Sequence, residues 1–280
     1  MSRTTSPLRY PGGKNKFYKK MVSILERNKI NNVTYVEPFA GGAGLAISLL
    51  INNKVKKIIL NDYDRAIFAF WYSILNYTDD FCQKIIETDI NISEWYKQKE
   101  IQNRKHTVDL FELGFSTFFL NRTNRSGILK AGPIGGYRQT GKYKIDCRFN
   151  KEVLITTIKN IAAYKNNIEL TNLDALDFIN QLKNFDSENY FIFFDPPYYN
   201  NGKELYVNFY THEDHITLSH SINNDLKDFR WIMTYDNCDE IKQIYKTYKK
   251  TYFKLTYTAG KARNATEVVF YNNIIIPRNI

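Results

Sequence analysis

The stretch VEPFAGGAG at residues 36–44 decides the fold of this chain, because it joins a short β-favouring run to a continuous apolar run. The run VTYVE at residues 33–37 predicts a strand, and LAISLLI at residues 45–51 predicts a helix. The glycines between them allow the backbone to turn sharply and to approach a ligand closely. The turn predicts a site for a nucleotide-like group, and a tight turn without a ligand is the alternative. Its spacing matches neither the dinucleotide pattern nor the P-loop.

The alternation of strands and helices continues on both sides of this turn. An amphipathic helix is predicted at residues 16–30, a second strand at 57–61 and a helix at 66–75. After residue 150 the sequence predicts helices at 151–163, 173–182 and 213–226, and strands at 168–171, 190–194, 231–234, 251–257 and 268–271. Such an order is typical of an α/β domain with a parallel sheet and right-handed crossovers. We predict one α/β catalytic domain made of residues 1–90 and 151–280, interrupted by an inserted lobe at 91–150 with one helix near 109–119.

The acid Asp62 follows the second predicted strand in the run LNDYD. An acid about twenty residues beyond a glycine turn is placed to accept hydrogen bonds from ribose hydroxyls. An acid at a strand end can equally cap the next helix, and Asp64 is the candidate for that role. We therefore predict that Asp62 binds a ribose.

The run FIFFDPPYYN at residues 191–200 carries the strongest chemical signal. A strand that is apolar on both faces ends in Asp195, Pro196, Pro197 and Tyr198. The prolines stiffen the turn and remove two N–H donors, which leaves nearby carbonyl groups free to accept from a ligand. A carboxylate, a fixed carbonyl and an aromatic face suit an amino group on a planar ring. A rigid turn that ends a buried strand is the alternative.

Charge and cysteine content narrow the function classes. The chain of 280 residues carries a net charge of +10, and residues 121–151 hold eight basic side chains and one acid. This uneven distribution favours a polyanionic partner. The alternative is a Lys-rich surface that only keeps the protein soluble. Three cysteines without CxxC pairing favour reduced thiols rather than a disulfide frame or a metal site. We expect a cytoplasmic protein without a signal peptide, a membrane span or a metal.

In this order, the motifs resemble the Dam-like D12 class of N6-adenine DNA methyltransferases. They are LRYPGGK at residues 8–14, EPFAGGAG at 37–44, NDYD at 61–64, LTNLDA at 170–175 and DPPY at 195–198. The resemblance implies a Rossmann-like fold of the S-adenosylmethionine-dependent methyltransferases, with an inserted, mainly helical target-recognition lobe. It implies transfer of a methyl group from S-adenosyl-L-methionine to N6 of adenine in double-stranded DNA. A cognate restriction endonuclease is the further expected partner.

The resemblance also implies roles for individual residues. Tyr10 and Lys14 would contact the methionine part of the donor, and Asp174 would lie beside its adenine ring. The full implied cofactor set is Tyr10, Lys14, Phe39, Gly41, Gly44, Asp62, Asp174 and Asp195. Read from the residues alone, Tyr10 fits a core aromatic, Lys14 a solvated helix start and Asp174 a helix N-cap.

The catalytic residues are predicted to be Asp195, Pro196, Pro197 and Tyr198. Hydrogen bonds from the adenine amino group to Asp195 and to the Pro196 carbonyl would localise the nitrogen lone pair for attack on the sulfonium methyl. The adenine must leave the duplex stack to reach such a pocket, and Tyr198 is expected to stack on it. The run LYVNFYTHEDH at residues 205–215 is the expected closing loop, with Tyr206 and Phe209 as candidates.

The inserted lobe is the predicted target-recognition element. Arginine and asparagine suit bidentate pairing with guanine and adenine edges, while other contacts reach only phosphate. The predicted DNA-binding residues are Leu120, Asn121, Arg122, Asn124, Arg125, Lys130 and Arg138. Four alternatives stay open at this point: an N4-cytosine DNA methyltransferase, an RNA methyltransferase, a protein glutamine methyltransferase and a non-catalytic nucleic-acid-binding module. Aspartate at position 195 favours the adenine enzyme, because serine or asparagine is more usual there in the other enzymes.

Overall fold

A computed structural model describes residues 5–9, 13–200, 210–257 and 263–277, with the side chains of 254–265 left aside. The chain divides into two compact units. The first comprises Met1–Gly13 and Asp64–Asn166, and the second comprises Lys14–Tyr63 and Asn167–Ile280. The predicted boundaries of the inserted lobe, 91 and 150, therefore differ from those of the first unit, which takes in flanking helices on both sides.

The second unit contains a mixed sheet. Its described strands are β1 (Thr34–Glu37), β2 (Lys57–Asn61), β3 (Ile168–Thr171), β4 (Tyr190–Phe194), β5 (Arg230–Asp236), β6 (Lys249–Tyr257) and β7 (Arg263–Asn272). They lie in the order β3-β2-β1-β4-β5-β7-β6. The first five are parallel, and β7 runs antiparallel to β5 and β6. The strand order reverses between β1 and β4, and open α/β sheets bind ligands beyond the carboxyl ends of the strands at such a point. The predicted α/β class and its Rossmann-like parallel core are confirmed.

The described α-helices number ten. They are α1 (Tyr18–Arg27), α2 (Gly44–Ile51), α3 (Arg65–Asn76), α4 (Thr78–Glu87), α5 (Ile92–Asn103), α6 (Leu110–Thr123), α7 (Lys151–Ala162), α8 (Ala175–Leu182), α9 (His212–Asp225) and α10 (Asp239–Ile244). Helices α3 to α7 belong to the first unit and the others to the second. Sequence patterns did not predict α4, α5 or α10. Of these, α5 has little apolar periodicity and α10 is only six residues long.

The core of the second unit is built on central strands that are buried on both faces. In β4 the residues Phe191 to Phe194 are at most 2% exposed, as expected of a parallel strand covered by helices on both sides. The apolar cluster on one face joins β1, β4 and β5 to α8 and α9 through residues such as Ile192, Trp231 and Leu218. This packing fixes the ends of β1, β4 and β5, where the candidate site lies.

The first unit packs α3 against α6. Gly114 makes this approach possible, because a Cβ atom there would lie 2.4 Å from the carbonyl oxygen of Ala69 and 2.4 Å from Ser73 Oγ. A buried aromatic cluster of Phe70, Phe81 and Phe118 fills the same interior. After α6, a 3₁₀ turn at Arg125–Gly127 leads into turns over residues 128–150. Within the described ranges, no helix is both long and apolar enough to cross a bilayer.

Candidate active site

The predicted site residues of the second unit meet at one edge of its sheet. The glycine turn follows β1, Asp62 follows β2, and the Asp195–Tyr198 turn follows β4. These three strands are parallel neighbours, so their carboxyl ends lie side by side. The edge is therefore the candidate active site.

The glycine turn is held by an acid from the next strand. Gly41 has a φ of 47°, in the left-handed region that favours glycine, and its N–H donates to Asp62 Oδ2 at 2.8 Å. Gly44 packs closely against Asn15, whose side chain would have to move for a Cβ atom there, since that atom would lie 2.0 Å from Asn15 Oδ1. The carboxylate of Asp62 is only half-buried. Asp64, not Asp62, caps the following helix by accepting from the Ala66 N–H at 3.1 Å, as the sequence indicated.

Asp195 is held from two directions. Its Oδ1 accepts from Thr234 Oγ1 at 2.8 Å, and Lys14 Nζ lies 2.8 Å from Oδ1 and 2.9 Å from Oδ2. The Asp195 side chain is 20% exposed, whereas that of Lys14 is 4% exposed. The carboxylate thus lies at the surface of the site with its partners behind it. The reading of Lys14 as a solvated helix start is wrong.

Tyr198 is part of the same network. Its hydroxyl accepts from Lys14 Nζ at 2.8 Å and donates to the carboxyl group of Glu267. The side chain is only 8% exposed, and its ring packs in the hydrophobic core. Stacking of Tyr198 on a base stays a prediction. Here the residue connects Lys14 to Glu267.

Two buried glutamates that the motif analysis did not single out complete the network. Glu37 at the end of β1 is 5% exposed, and Glu267 in β7 is 1% exposed, with its Oε1 3.6 Å from Lys14 Nζ. Burial, aided by the negative charge of Asp195, raises the pKa of Glu37 to about 8. Burial likewise raises the pKa of Glu267, while Lys14 opposes the shift. An acid inside an otherwise apolar strand was the available sequence signal.

Asp236 at the end of β5 holds the chain that follows the tetrapeptide. Its Oδ1 accepts from the Tyr199 N–H at 2.9 Å and its Oδ2 from the Asn200 N–H at 2.9 Å. One carboxylate thereby satisfies two consecutive backbone donors, which fixes the direction in which the chain leaves the DPPY turn. The sequence pattern did not indicate this residue, because an acid at a strand end has many possible roles.

The remaining predicted cofactor residues are placed as follows. Asp174 caps α8 by accepting from the Leu176 N–H at 2.9 Å, in agreement with its alternative reading as an N-cap. Phe39 is half-buried and packs edge-on against Tyr210, with ring centroids 6.0 Å apart. Tyr10 and the loop candidates Tyr206 and Phe209 lie outside the described residues.

Three of the predicted DNA-binding residues are interior residues of the first unit. Leu120 is fully buried. Asn121 accepts from the Arg9 N–H at 2.7 Å and donates to the carbonyl oxygens of Arg9 and Gly127. Asn124 accepts from Trp95 Nε1 at 2.6 Å and donates to two backbone carbonyl groups. Their assignment to DNA contact is corrected to a structural role, because the amide groups are already used inside the unit.

The four basic residues of the predicted DNA-binding set also differ in their exposure. Arg122 donates to the carbonyl oxygens of Arg148 and Pro7, and burial lowers its pKa to about 10. Arg125, Lys130 and Arg138 are exposed. Of the predicted DNA-binding residues, only these three are exposed in the described structure.

Comparison with known proteins shows a family match over most of the chain. The family described as D12 class N6 adenine-specific DNA methyltransferase matches residues 10–259. The type II methyltransferase M.CviBI of Paramecium bursaria Chlorella virus NC1A is 26% identical over 249 residues, covering 85% of this chain and 89% of that protein. M.MjaIII, a type II methyltransferase of Methanocaldococcus jannaschii, is 23% identical over 204 residues, covering 68% of each chain.

A solved structure of a putative RNA methyltransferase, PH1948 from Pyrococcus horikoshii, aligns with a TM-score of 0.42 at 10% identity, covering 96% of this chain and 87% of that one. That likeness is too weak to indicate a substrate. The family match, by contrast, spans all five motifs from the second half of LRYPGGK to DPPY. The chain therefore belongs to the D12 class of N6 adenine-specific DNA methyltransferases, and membership of this class implies S-adenosylmethionine as the methyl donor.

Proposed function

We propose that this protein methylates N6 of an adenine that is flipped out of double-stranded DNA at a specific sequence, with Asp195 as the catalytic acceptor. The observation that supports this most is the placement of Asp195, whose carboxylate reaches the surface of the site while Lys14 and Thr234 hold it from behind. A carboxylate fixed in this way can accept a hydrogen bond without first reorganising.

The chemistry required of the chain is the activation of a weak nucleophile. The lone pair of the adenine amino group is delocalised into the ring. Hydrogen bonds from N6–H to an Asp195 oxygen and to the Pro196 carbonyl draw the nitrogen toward a pyramidal geometry and localise that pair. Holding the reactants in line can contribute about 7 to 11 kcal/mol in well-oriented cases. The nitrogen must also lose one proton during the transfer, and Asp195 is the nearest acceptor for it.

The glycine turn and its neighbours fit the methyl donor. The bond from the Gly41 N–H to Asp62 fixes the shape of the turn, and the half-buried Asp62 and Asp174 offer acceptors for hydroxyl and amino groups. When bound, S-adenosylmethionine supplies a methyl group on a positively charged sulfur. The residues that would hold it are Tyr10, Lys14, Phe39, Gly41, Gly44, Asp62, Asp174 and Asp195.

DNA is held in this proposal by the exposed cations of the predicted recognition lobe, Arg125, Lys130 and Arg138. Their guanidinium and ammonium groups suit phosphate contact, and the arginines also suit guanine edges. We further propose a partner endonuclease that recognises the same target sequence, a proposal supported by the relatives named as type II methyltransferases that match most of the chain.

The test is a transfer assay with labelled S-adenosylmethionine on DNA, RNA and protein acceptors, followed by nucleoside analysis of the product. We expect N6-methyladenine in duplex DNA. Asp195→Ala should abolish transfer while leaving binding to duplex DNA intact. N4-methylcytosine, a methylated RNA or protein, or near wild-type transfer by the Asp195→Ala variant would each reject the proposal.

A further inference from the structure

The network behind Asp195 contains more acids than cations. Lys14 Nζ is 2.8 Å from Asp195 Oδ1 and 2.9 Å from Oδ2, but 3.6 Å from Glu267 Oε1. Glu37 is buried close enough for Asp195 and Lys14 to affect its ionisation. The ammonium group therefore engages both oxygens of Asp195 and is more distant from Glu267.

Full ionisation of this cluster would be costly. Three carboxylates around one ammonium would leave two negative charges uncompensated in an interior where Glu37 is 5% and Glu267 is 1% exposed. A buried charge without a partner usually takes up or loses a proton rather than remaining charged. Asp195 is the most exposed of the three acids and has the shortest contact to Lys14, so it is the one best placed to carry the negative charge.

We infer that Glu37 and Glu267 are positioning residues that carry protons in the resting protein, so that the single charge of Lys14 is committed to Asp195. The groups that face Glu37 are Tyr35, Asp195 and Lys14, and those that face Glu267 are Tyr198, Lys14 and Asp195. In both cases burial and the charge of Asp195 favour the neutral acid. Lys14 opposes them, and so do Tyr35 and the Ala46 backbone beside Glu37 and the Tyr198 hydroxyl beside Glu267.

The inference has a second half, which concerns catalysis and rests on the proposed function. While both glutamates are neutral, Asp195 is the one acid of the trio that offers full negative charge to the substrate amino group. Ionisation of Glu37 or Glu267 at alkaline pH brings a second carboxylate into competition for Lys14. The activity should then fall as pH rises through the range in which these acids ionise.

The protonation state is measured on the wild-type protein without any ligand, by the infrared absorption of protonated carboxylic acid groups. We expect this band at neutral pH and its loss at alkaline pH. Glu37→Gln and Glu267→Gln should each remove part of it. Glu169→Gln is the matched control, because Glu169 lies on β3 with its side chain 45% exposed beside Lys57. Absence of the band at neutral pH, or its persistence in both glutamine variants, would overturn the inference.

The catalytic half is tested by pH profiles of the same variants. Glutamine mimics the neutral acid, so each variant should retain transfer to within roughly tenfold at neutral pH and extend the alkaline limb of the profile, whereas Asp195→Asn should lose about 100-fold or more at every pH. If Glu267→Gln loses as much activity as Asp195→Asn across the profile while its melting temperature is normal, an ionised Glu267 is required and the inference is wrong.

If a glutamine variant fails to fold, titration of the infrared band of the wild-type protein decides the protonation state by itself. A clear band together with no methyl transfer to DNA by the wild-type protein would reject the proposed function and leave the protonation inference standing.

Discussion

Lys14 and Asp195 form an ion pair at 2.8 Å although 181 residues separate them in the chain. The lysine begins a 3₁₀ helix at Lys14–Phe17, and the aspartate follows the central strand β4. Their contact joins the last residue of the LRYPGGK motif to the first residue of the DPPY motif within the second unit. It also gives Lys14 a role that does not depend on the methyl donor.

Lys14→Met should strongly impair both folding stability and methyl transfer. Removing one partner of a buried ion pair leaves the other uncompensated, at a cost of about 3 to 5 kcal/mol. Chemical denaturation at neutral pH measures the loss, and Lys19→Met, at an exposed position of α1, is the control. Because acid protonates the stranded Asp195 carboxylate, the deficit should shrink at low pH. A stability equal to wild type would show that the ion pair is not formed in solution.

Asp236→Ala should reduce the turnover rate more than the affinity for DNA. Without its carboxylate the Tyr199 and Asn200 amides lose their acceptor, and the turn that carries Asp195 is no longer held in one direction. A misplacement of about 1 Å in such a site can cost about 100-fold in rate. Single-turnover kinetics with duplex DNA would measure it. Asp239→Ala serves as the comparison, because the side chain of Asp239 is 97% exposed. Equal turnover rates for the two variants would refute the positioning role of Asp236.

Glu37→Gln should change the pH dependence of stability. The pKa of Glu37 is raised from 4.5 to about 8 in the folded protein, so the native state binds more protons than the unfolded state between these values. The contribution of this group is therefore most favourable below pH 4.5 and is lost progressively as pH rises toward 8. Denaturation series across this window should show the variant gaining stability relative to wild type with rising pH, by up to a few kcal/mol. A constant difference would contradict the raised pKa.

Gly114→Ala should destabilise the protein without affecting the chemistry directly. The added Cβ would clash with the backbone of Ala69 in α3, and overpacking of this kind costs about 1 to 3 kcal/mol. Ser93→Ala, at an exposed position of α5, is a helix substitution without such a clash. Thermal unfolding of both variants provides the comparison. Equal melting temperatures would mean that α3 and α6 do not pack as described.

Arg125→Ala and Asn121→Ala should have different effects, because Arg125 is exposed and Asn121 is used internally. Loss of a phosphate-contacting arginine should weaken DNA binding and reduce the log–log salt slope by about 0.9. Loss of Asn121 should lower the melting temperature and leave the slope unchanged. Titrations of labelled duplex DNA at several salt concentrations test both. A reduced slope for Asn121→Ala with normal stability would restore it as a DNA contact.

Local pattern was enough to predict the α/β alternation and the position of each sheet strand to within a few residues. For the central strands the reason is burial on both faces, which leaves apolar runs bounded by turn residues. Motif order was enough to predict the family, the Asp195 turn and the proximity of Asp62 to the glycine turn. The lobe was harder to interpret. In the run NRTNRSG at residues 121–127, the asparagines and arginines resemble a base-reading surface, and nothing in the run itself shows which side chains turn inward.

Only the tertiary structure brought Lys14, Glu37, Asp195, Tyr198 and Glu267 together, because these residues come from four separate segments of the second unit. Pairing of β7 with β5 places Glu267 opposite Asp236, a register that no local pattern contains. Ionisation depends on burial and on neighbours distant in the chain, and so do the roles of these acids. The sequence by itself determined the family and with it the type of reaction. Three-dimensional packing decided which charged side chains lie around Asp195.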